Sequence, residues 1–188
     1  MSNAPFLRDT AGRLVTARLR LRQWVDADRP RFRALNRDPR VMAHFPALLT
    51  DPESDRLLDA MHAFLAANGI GLWAVERLAD KRWIGFVGIQ PVNLGVALDG
   101  AAEVGWRLDP AFWRAGYAVE AARAALHVAF AEMALPQVVA TMVPGNTRSA
   151  ATAERLGLTR RPELDFDHPA RAPGHPLRAT IVYGIDRP

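Results

Sequence analysis

The residue types best suited to chemistry fall at a few places in the second half of this chain. The turn Trp113-Arg114-Ala115-Gly116-Tyr117-Ala118 stands directly ahead of an amphipathic run. Gly116 lets the main chain come close to a ligand, and the free N–H groups of a helix start attract an anion, for which a pyrophosphate is the natural occupant. Further on, PGNTRSAATAERLGL (144–158) offers the amide of Asn146 and the hydroxyl of Ser149. DFDHPARAPGHPLR (165–178) gathers Asp165, Asp167, His168 and His175. Imidazole with carboxylate suits several metal ions, but the spacing makes neither a helical H-E-x-x-H nor a tight ligand pair. The prolines read instead as an ordered turn that stiffens a rim, and no metal is expected. Two other phosphate-binding patterns are missing around Gly116: G-x-G-x-x-G and G-x-x-x-x-G-K-[ST].

These groups need elements to hold them. EVGWRL (103–108) reads as a strand, and Asp109-Pro110 breaks it because proline brings no N–H to a ladder. A helix over 116–133 follows, with Val119, Ala122, Leu126 and Phe130 inward and Glu120 and Arg123 on the opposite side. Earlier, alternation over 14–24 predicts one half-buried strand with Thr16, Arg18, Arg20 and Arg22 on its wet face, and Asp26 is placed to cap the helix that ends near Asn36. Asp51-Pro52 predicts the start of a second helix, which Gly69 stops. LWAVERL and WIGFVGIQ form a hairpin, in which Gly85 and Gly88 mark a bulge or a close main-chain approach. QVVATMV is a continuous apolar strand of the buried kind, and a helix over about 147–156 ends at Gly157. LRATIVYGI is the last strand.

With 188 residues, 49% hydrophobic and 23% charged, the chain reads as one soluble domain spanning 1–188, with 1–13 expected as a flexible N-terminus. No apolar run reaches the 18 residues of a spanning helix, and the first residues lack the apolar core of a signal peptide, so a cytoplasmic place and no membrane partner are expected. The absence of cysteine excludes disulfides and thiolate chemistry. The net charge of +4 comes almost wholly from arginine, Lys81 being the one lysine. The arginines are scattered among 20 acids, whereas a nucleic-acid binder concentrates them on one face, so no nucleic acid is expected.

The turn at 113–118 resembles motif A of the GNAT acyl-CoA N-acyltransferases, [QR]-x-x-G-x-[GA], with Gly116 and Ala118 matching. Trp113 stands where the superfamily has Gln or Arg, a departure similar to the RimJ/RimL branch of ribosomal-protein N-terminal acetyltransferases. Residues 146–158 resemble a second pattern, N-x-x-S-x-x-x-x-[EQ]-[KR]-L-G-[FL], matched from Asn146 through Leu158. The order β-α-α-β-β-β-α-β-α-β-β is also the GNAT order and covers nearly the whole chain. The resemblance implies an α/β (α+β) fold, a mixed, mostly antiparallel sheet of about seven strands with helices on both faces. It further implies acetyl-CoA as co-substrate and a primary amine as acceptor, either a peptide N-terminus or a small amine. Glu103 would be the base, with Asp165 and Asp167 as other carboxylates, and Ser149 would protonate the leaving thiolate. Main-chain groups of Trp106 and Leu108 would hold the pantetheine arm, those from Arg114, Ala115, Gly116, Tyr117 and Ala118 the pyrophosphate, and Asn146 an amide of the arm. Without cysteine, direct attack in a ternary complex is favoured over an acyl-enzyme. The alternative is a non-catalytic acyl-CoA sensor on the same fold; monomer and homodimer are both compatible.

Overall fold

A polar residue, Thr16, shapes the beginning of the sheet. The computed structural model describes residues 6–188. Leu7–Arg8 (β1) pairs with Leu14–Val15 (β2), which pairs with Leu19–Arg22 (β3). The single strand expected over 14–24 is broken between β2 and β3, where buried Thr16 accepts the Leu19 N–H at 3.1 Å and closes a bend. Past the bend the alternation holds, with Leu19 and Leu21 buried and Arg20 and Arg22 half-buried. Of the expected flexible stretch, 6–13 carries β1 and sets the Phe6 ring edge-on to His127 at 5.5 Å; residues 1–5 lie outside the described residues.

Helix α1 (Arg29–Arg37) follows a short 3-10 turn, Asp26–Asp28. The expected cap, Asp26, comes too early to serve it. Asp28 precedes the helix, and its carboxylate is taken by Arg22 (2.8 Å to each oxygen) and the Val25 N–H (3.1 Å). Helix α2 (Asp51–Asn68) is capped by Thr50, not Asp51. The Thr50 N–H donates to Glu53 Oε2 at 2.7 Å and Glu53 N–H returns a bond to Thr50 Oγ1, a reciprocal arrangement that satisfies two orphan donors. Thr50→Ala is therefore expected to cost about 1 kcal/mol, read as a lower urea midpoint with unchanged slope. Gly69, at φ 70°, ends the helix in the left-handed conformation.

The hairpin of β4 (Leu72–Arg77) and β5 (Arg82–Pro91) forms as expected, with a register shift between Val75 and Glu76. β6 (Ala102–Leu108) pairs with β5 along its whole length. Helix α3 (Tyr117–His127) packs on β5 and β6 through Ala121, Ala122, Ala124 and Ala125, all fully buried, small side chains that bring the helix axis close to the sheet. Val119 and Phe130, expected inside, are half-buried, and the helix passes into a π turn at Val128–Glu132. β7 (Gln137–Met142), α4 (Thr147–Leu156), β8 (Thr159–Arg160), β9 (Phe166–Asp167) and β10 (Ala179–Asp186) complete the chain.

The sheet runs β1-β2-β3-β4-β5-β6-β7-β10-β8, with β9 paired to β10. It has ten strands rather than about seven because β1 and β9 are additional two-residue pieces and the expected strand over 14–24 divides into β2 and β3. Every pairing is antiparallel except β6 with β7, which meet in parallel at one position, Glu103 opposite Val139. Beyond that point the two strands separate, and the site lies there. The core beneath α1 is aromatic: Trp24 stacks against Phe32, Trp83 and Phe86 at 5.3–6.1 Å, with its indole N–H on the Leu72 carbonyl at 2.7 Å. No described helix is long and apolar enough to cross a membrane.

Candidate active site

Strand alternation sends Glu103, Gly105 and Arg107 to one face of β6 and buries Val104 and Leu108 on the other. Where β6 leaves β7, the sheet opens into a cleft of about 1930 Å³. Glu103 and Ser149 both line it, as do Trp106, Leu108, Asn146 and every residue from Arg114 to Ala118, so the expected site residues are brought together.

Glu103 is fixed from two sides. Its Oε1 accepts the Thr141 hydroxyl and, at 3.3 Å, the Thr141 N–H; its Oε2 accepts from Gln90 Nε2 at 3.2 Å. Asp165 and Asp167, the other carboxylates considered, are engaged elsewhere and do not line the cleft. Asp165 is held by Arg160 at 2.8 and 2.6 Å and by the Val182 N–H, Asp167 by Arg178 at 2.8 Å. The Arg160 guanidinium accordingly keeps the Asp165 carboxyl below its usual range. The loop's own contribution to the cleft comes through Phe166, His168, Arg171 and Leu177. Among the described residues no group of three or more His, Asp or Glu is placed to hold a metal.

Asn146 caps α4, its Oδ1 accepting the Ser149 N–H at 3.2 Å, and its side-chain NH2 remains for a ligand. The Ser149 hydroxyl is half-buried beside the cleft. The motif A turn carries two left-handed residues, Arg114 at φ 63° and Gly116 at φ 80°. Gly116 precedes α3 without any side-chain cap, and a Cβ there would meet only Arg18 Nη2, at 3.5 Å. The first amides of α3 therefore face open space. Trp113 turns inward: its indole N–H donates to the Leu108 carbonyl at 2.7 Å, and Arg148 stacks on its ring at 4.6 Å.

Four residues of the site were not legible. Arg18, read as a solvated strand residue, donates to the Ala115 carbonyl at 2.9 Å, lies over the Tyr117 ring at 4.5 Å and pairs with Glu120 at 2.6 Å. Glu120, expected on the outer side of α3, is half-buried and ties the helix start to the β2–β3 bend through Thr16 (2.6 Å) and Arg18. Thr141 had a weak signal, as a polar residue within the apolar run Val138–Met142. Arg107 had none beyond its place four residues after Glu103. Its Nη1 donates to Asn36 Oδ1 at 2.6 Å, its guanidinium sits over the Phe45 ring at 4.2 Å, and burial brings its pKa down to about 10, still cationic at neutral pH. Most other arginines face carboxylates, but at the mouth Arg114, Arg123, Arg148 and Arg155 make no ion pair among the described residues.

Known proteins match this architecture. An acetyltransferase (GNAT) domain model matches residues 18–159. The uncharacterized protein YkkB of Bacillus subtilis is 31% identical over 147 residues, covering 78% of this chain and 84% of YkkB. The FsC-acetyl coenzyme A-N(2)-transacetylase of Aspergillus fumigatus is 31% identical over 153 residues, covering 78% of this chain and 64% of that protein. A crystal structure of an acetyltransferase from Agrobacterium tumefaciens superposes with a TM-score of 0.75 at 29% identity, covering 95% of this chain and 96% of that one. With the strand order, the divergence of β6 from β7 and the uncapped start of α3 beside it, the match over most of its length places this chain in the GNAT acetyltransferase family.

Proposed function

We propose that this protein is an N-acetyltransferase that moves the acetyl group of acetyl-CoA to a primary amine by direct attack in a ternary complex. The observation that carries the reading is the convergence of Glu103 and Ser149 on one cleft at the point where β6 and β7 separate. The residues present fit the nucleotide. The uncapped α3 start and the open space over Gly116 suit a diphosphate, the unpaired arginines at the mouth suit further phosphate charge, and the β7-facing edge of β6 suits an extended arm adding main-chain bonds like a strand. When bound, the thioester supplies an activated acyl carbon and a thiolate leaving group.

The chain's own part is to deliver a neutral amine, stabilise the oxyanion and return a proton. Glu103, oriented by Thr141 and Gln90, accepts the amine's proton directly or through a water; Ser149 protonates the thiolate. A lysine-like amine near pKa 10.4 costs about 4–5 kcal/mol to deprotonate at pH 7, an α-amine near 8 about 1.4 kcal/mol. A carboxylate base is thus better matched to an α-amine, as at the N-terminus of a peptide, the acceptor of the RimJ/RimL type, or in an amino-acid derivative. The absence of cysteine supports a single displacement.

The test is free-thiol release from acetyl-CoA against a panel of peptides, amino acids and polyamines. Turnover with at least one amine, reduced about tenfold or more in Ser149→Ala at unchanged coenzyme A affinity, is expected. Tight nucleotide binding with no turnover on any amine would favour a sensor instead.

A further inference from the structure

Arg107 stands apart from the groups at the cleft mouth, and its surroundings are unusual for a cation. Four residues along β6 from Glu103, it projects from the same face, with the two Cα atoms about 13 Å apart. Gly105 lies between them. A Cβ there would meet only Leu72 Cδ2, at 3.7 Å, so the space separating carboxylate and guanidinium is open. The half-buried guanidinium lies over the rings of exposed Phe45 at 4.2 Å and buried Phe86 at 5.3 Å. Its one hydrogen-bond partner among the described residues is neutral, Asn36 Oδ1, and its buried Nε has no acceptor. Arg20 on β3 also leaves its Nε unmatched, but it and Arg22 have carboxylates: they share Glu76, and Arg22 also grips Asp28. A half-buried cation between aromatic rings, with a buried unmatched Nε and no carboxylate, gains from an anionic partner, and the planar guanidinium fork matches a carboxylate.

We propose that Arg107 anchors the acceptor: the substrate amine also carries a carboxylate, which takes the unmatched N–H groups of Arg107 while the amino group reaches Glu103. This rests on the acetyltransferase reading above and adds the class of acceptor to it. Asn36 is a positioning residue. It is fully buried on α1, and its Nδ2 donates to Ser54 Oγ of α2 at 3.3 Å, which turns its oxygen toward Arg107. The same cation repels a polyamine, whose additional positive charges would face it at low dielectric.

The experiment uses the full chain with acetyl-CoA and matched acceptors: L-phenylalanine, β-alanine and 6-aminohexanoate, each beside its own amide, with spermidine as the polycation. In the wild type, at least one acid should exceed its amide in kcat/KM by about 10–100-fold. That ratio should fall to near one in Arg107→Gln, and also in Asn36→Asp, which gives the guanidinium a built-in counter-ion and keeps it in place. A purely structural role would move the melting temperature and leave the ratio alone. A wild-type ratio of one or less in every pair, faster turnover of spermidine than of every acid, or a ratio that survives in both variants overturns the proposal. If Arg107→Gln does not fold, Asn36→Asp decides. If no amine releases thiol, catalysis itself has failed, and calorimetry of the same pairs with coenzyme A present decides the anchor separately. Heat from an acid but not its amide, lost in Asn36→Asp, upholds it; equal heats overturn it.

Discussion

Glu103→Gln is expected to lower kcat for acetyl transfer about 100-fold while coenzyme A affinity stays within about twofold. Glutamine has the same shape, and its carbonyl can still accept from Thr141, so the strand and the cleft should be undisturbed. What is lost is the group that takes the amine's proton. The loss should therefore be largest for acceptors of high pKa and should shrink as the assay pH approaches the amine's own pKa, because more of the acceptor is then already neutral. Stopped-time thiol assays from pH 6.5 to 9.5 with one α-amine and one ε-amine would show this. A uniform loss at every pH and for both amines would make Glu103 a positioning group instead.

Gly88→Ala should be severely damaging to the sheet. A Cβ at Gly88 would stand 1.8 Å from the Gly71 carbonyl oxygen and 2.8 Å from Leu72 Cα. Both are main-chain atoms, so no side-chain rotation relieves the clash, and the Gly71 carbonyl already accepts the Ile89 N–H at 3.1 Å. Strands β4 and β5 would have to part where Leu72 faces Gly88. A loss of about 3 kcal/mol or more follows, about 10 °C in melting temperature for a domain of this size. Gly105→Ala is the control, since the space above it is open. Equal melting temperatures for the two variants would refute the argument.

Those two glycines show how far the sequence could be read. Gly85 and Gly88 interrupt an apolar strand, which marks close approach, and the structure supplies its neighbours: Arg107 O for one and Gly71 O for the other. The strand order and the helix-stop at Gly69 were legible because each rests on local chemistry, alternation in one case and a left-handed residue in the other. The caps of α1 and α2 were misplaced by one or two residues. The Asp28 carboxylate goes to Arg22 and the Val25 N–H instead of to α1, and Thr50 is selected over Asp51 by its reciprocal bonds with Glu53. The motif residues Glu103, Gly116, Asn146 and Ser149 were visible as patterns. Arg18, Asn36 and Arg107 were not, because each acquires its meaning from a partner at least 70 positions away.

The lone rung between β6 and β7 has one more consequence. The sheet is effectively two plates, β1 to β6 and β7 to β10, sharing a seam that main-chain bonds barely sew. A nucleotide laid along that seam would rivet the plates together and stabilise the folded chain by mass action, about 2.7 kcal/mol at a hundredfold excess over Kd. Without such a ligand, that seam is expected to be the line that opens first to heat and proteases.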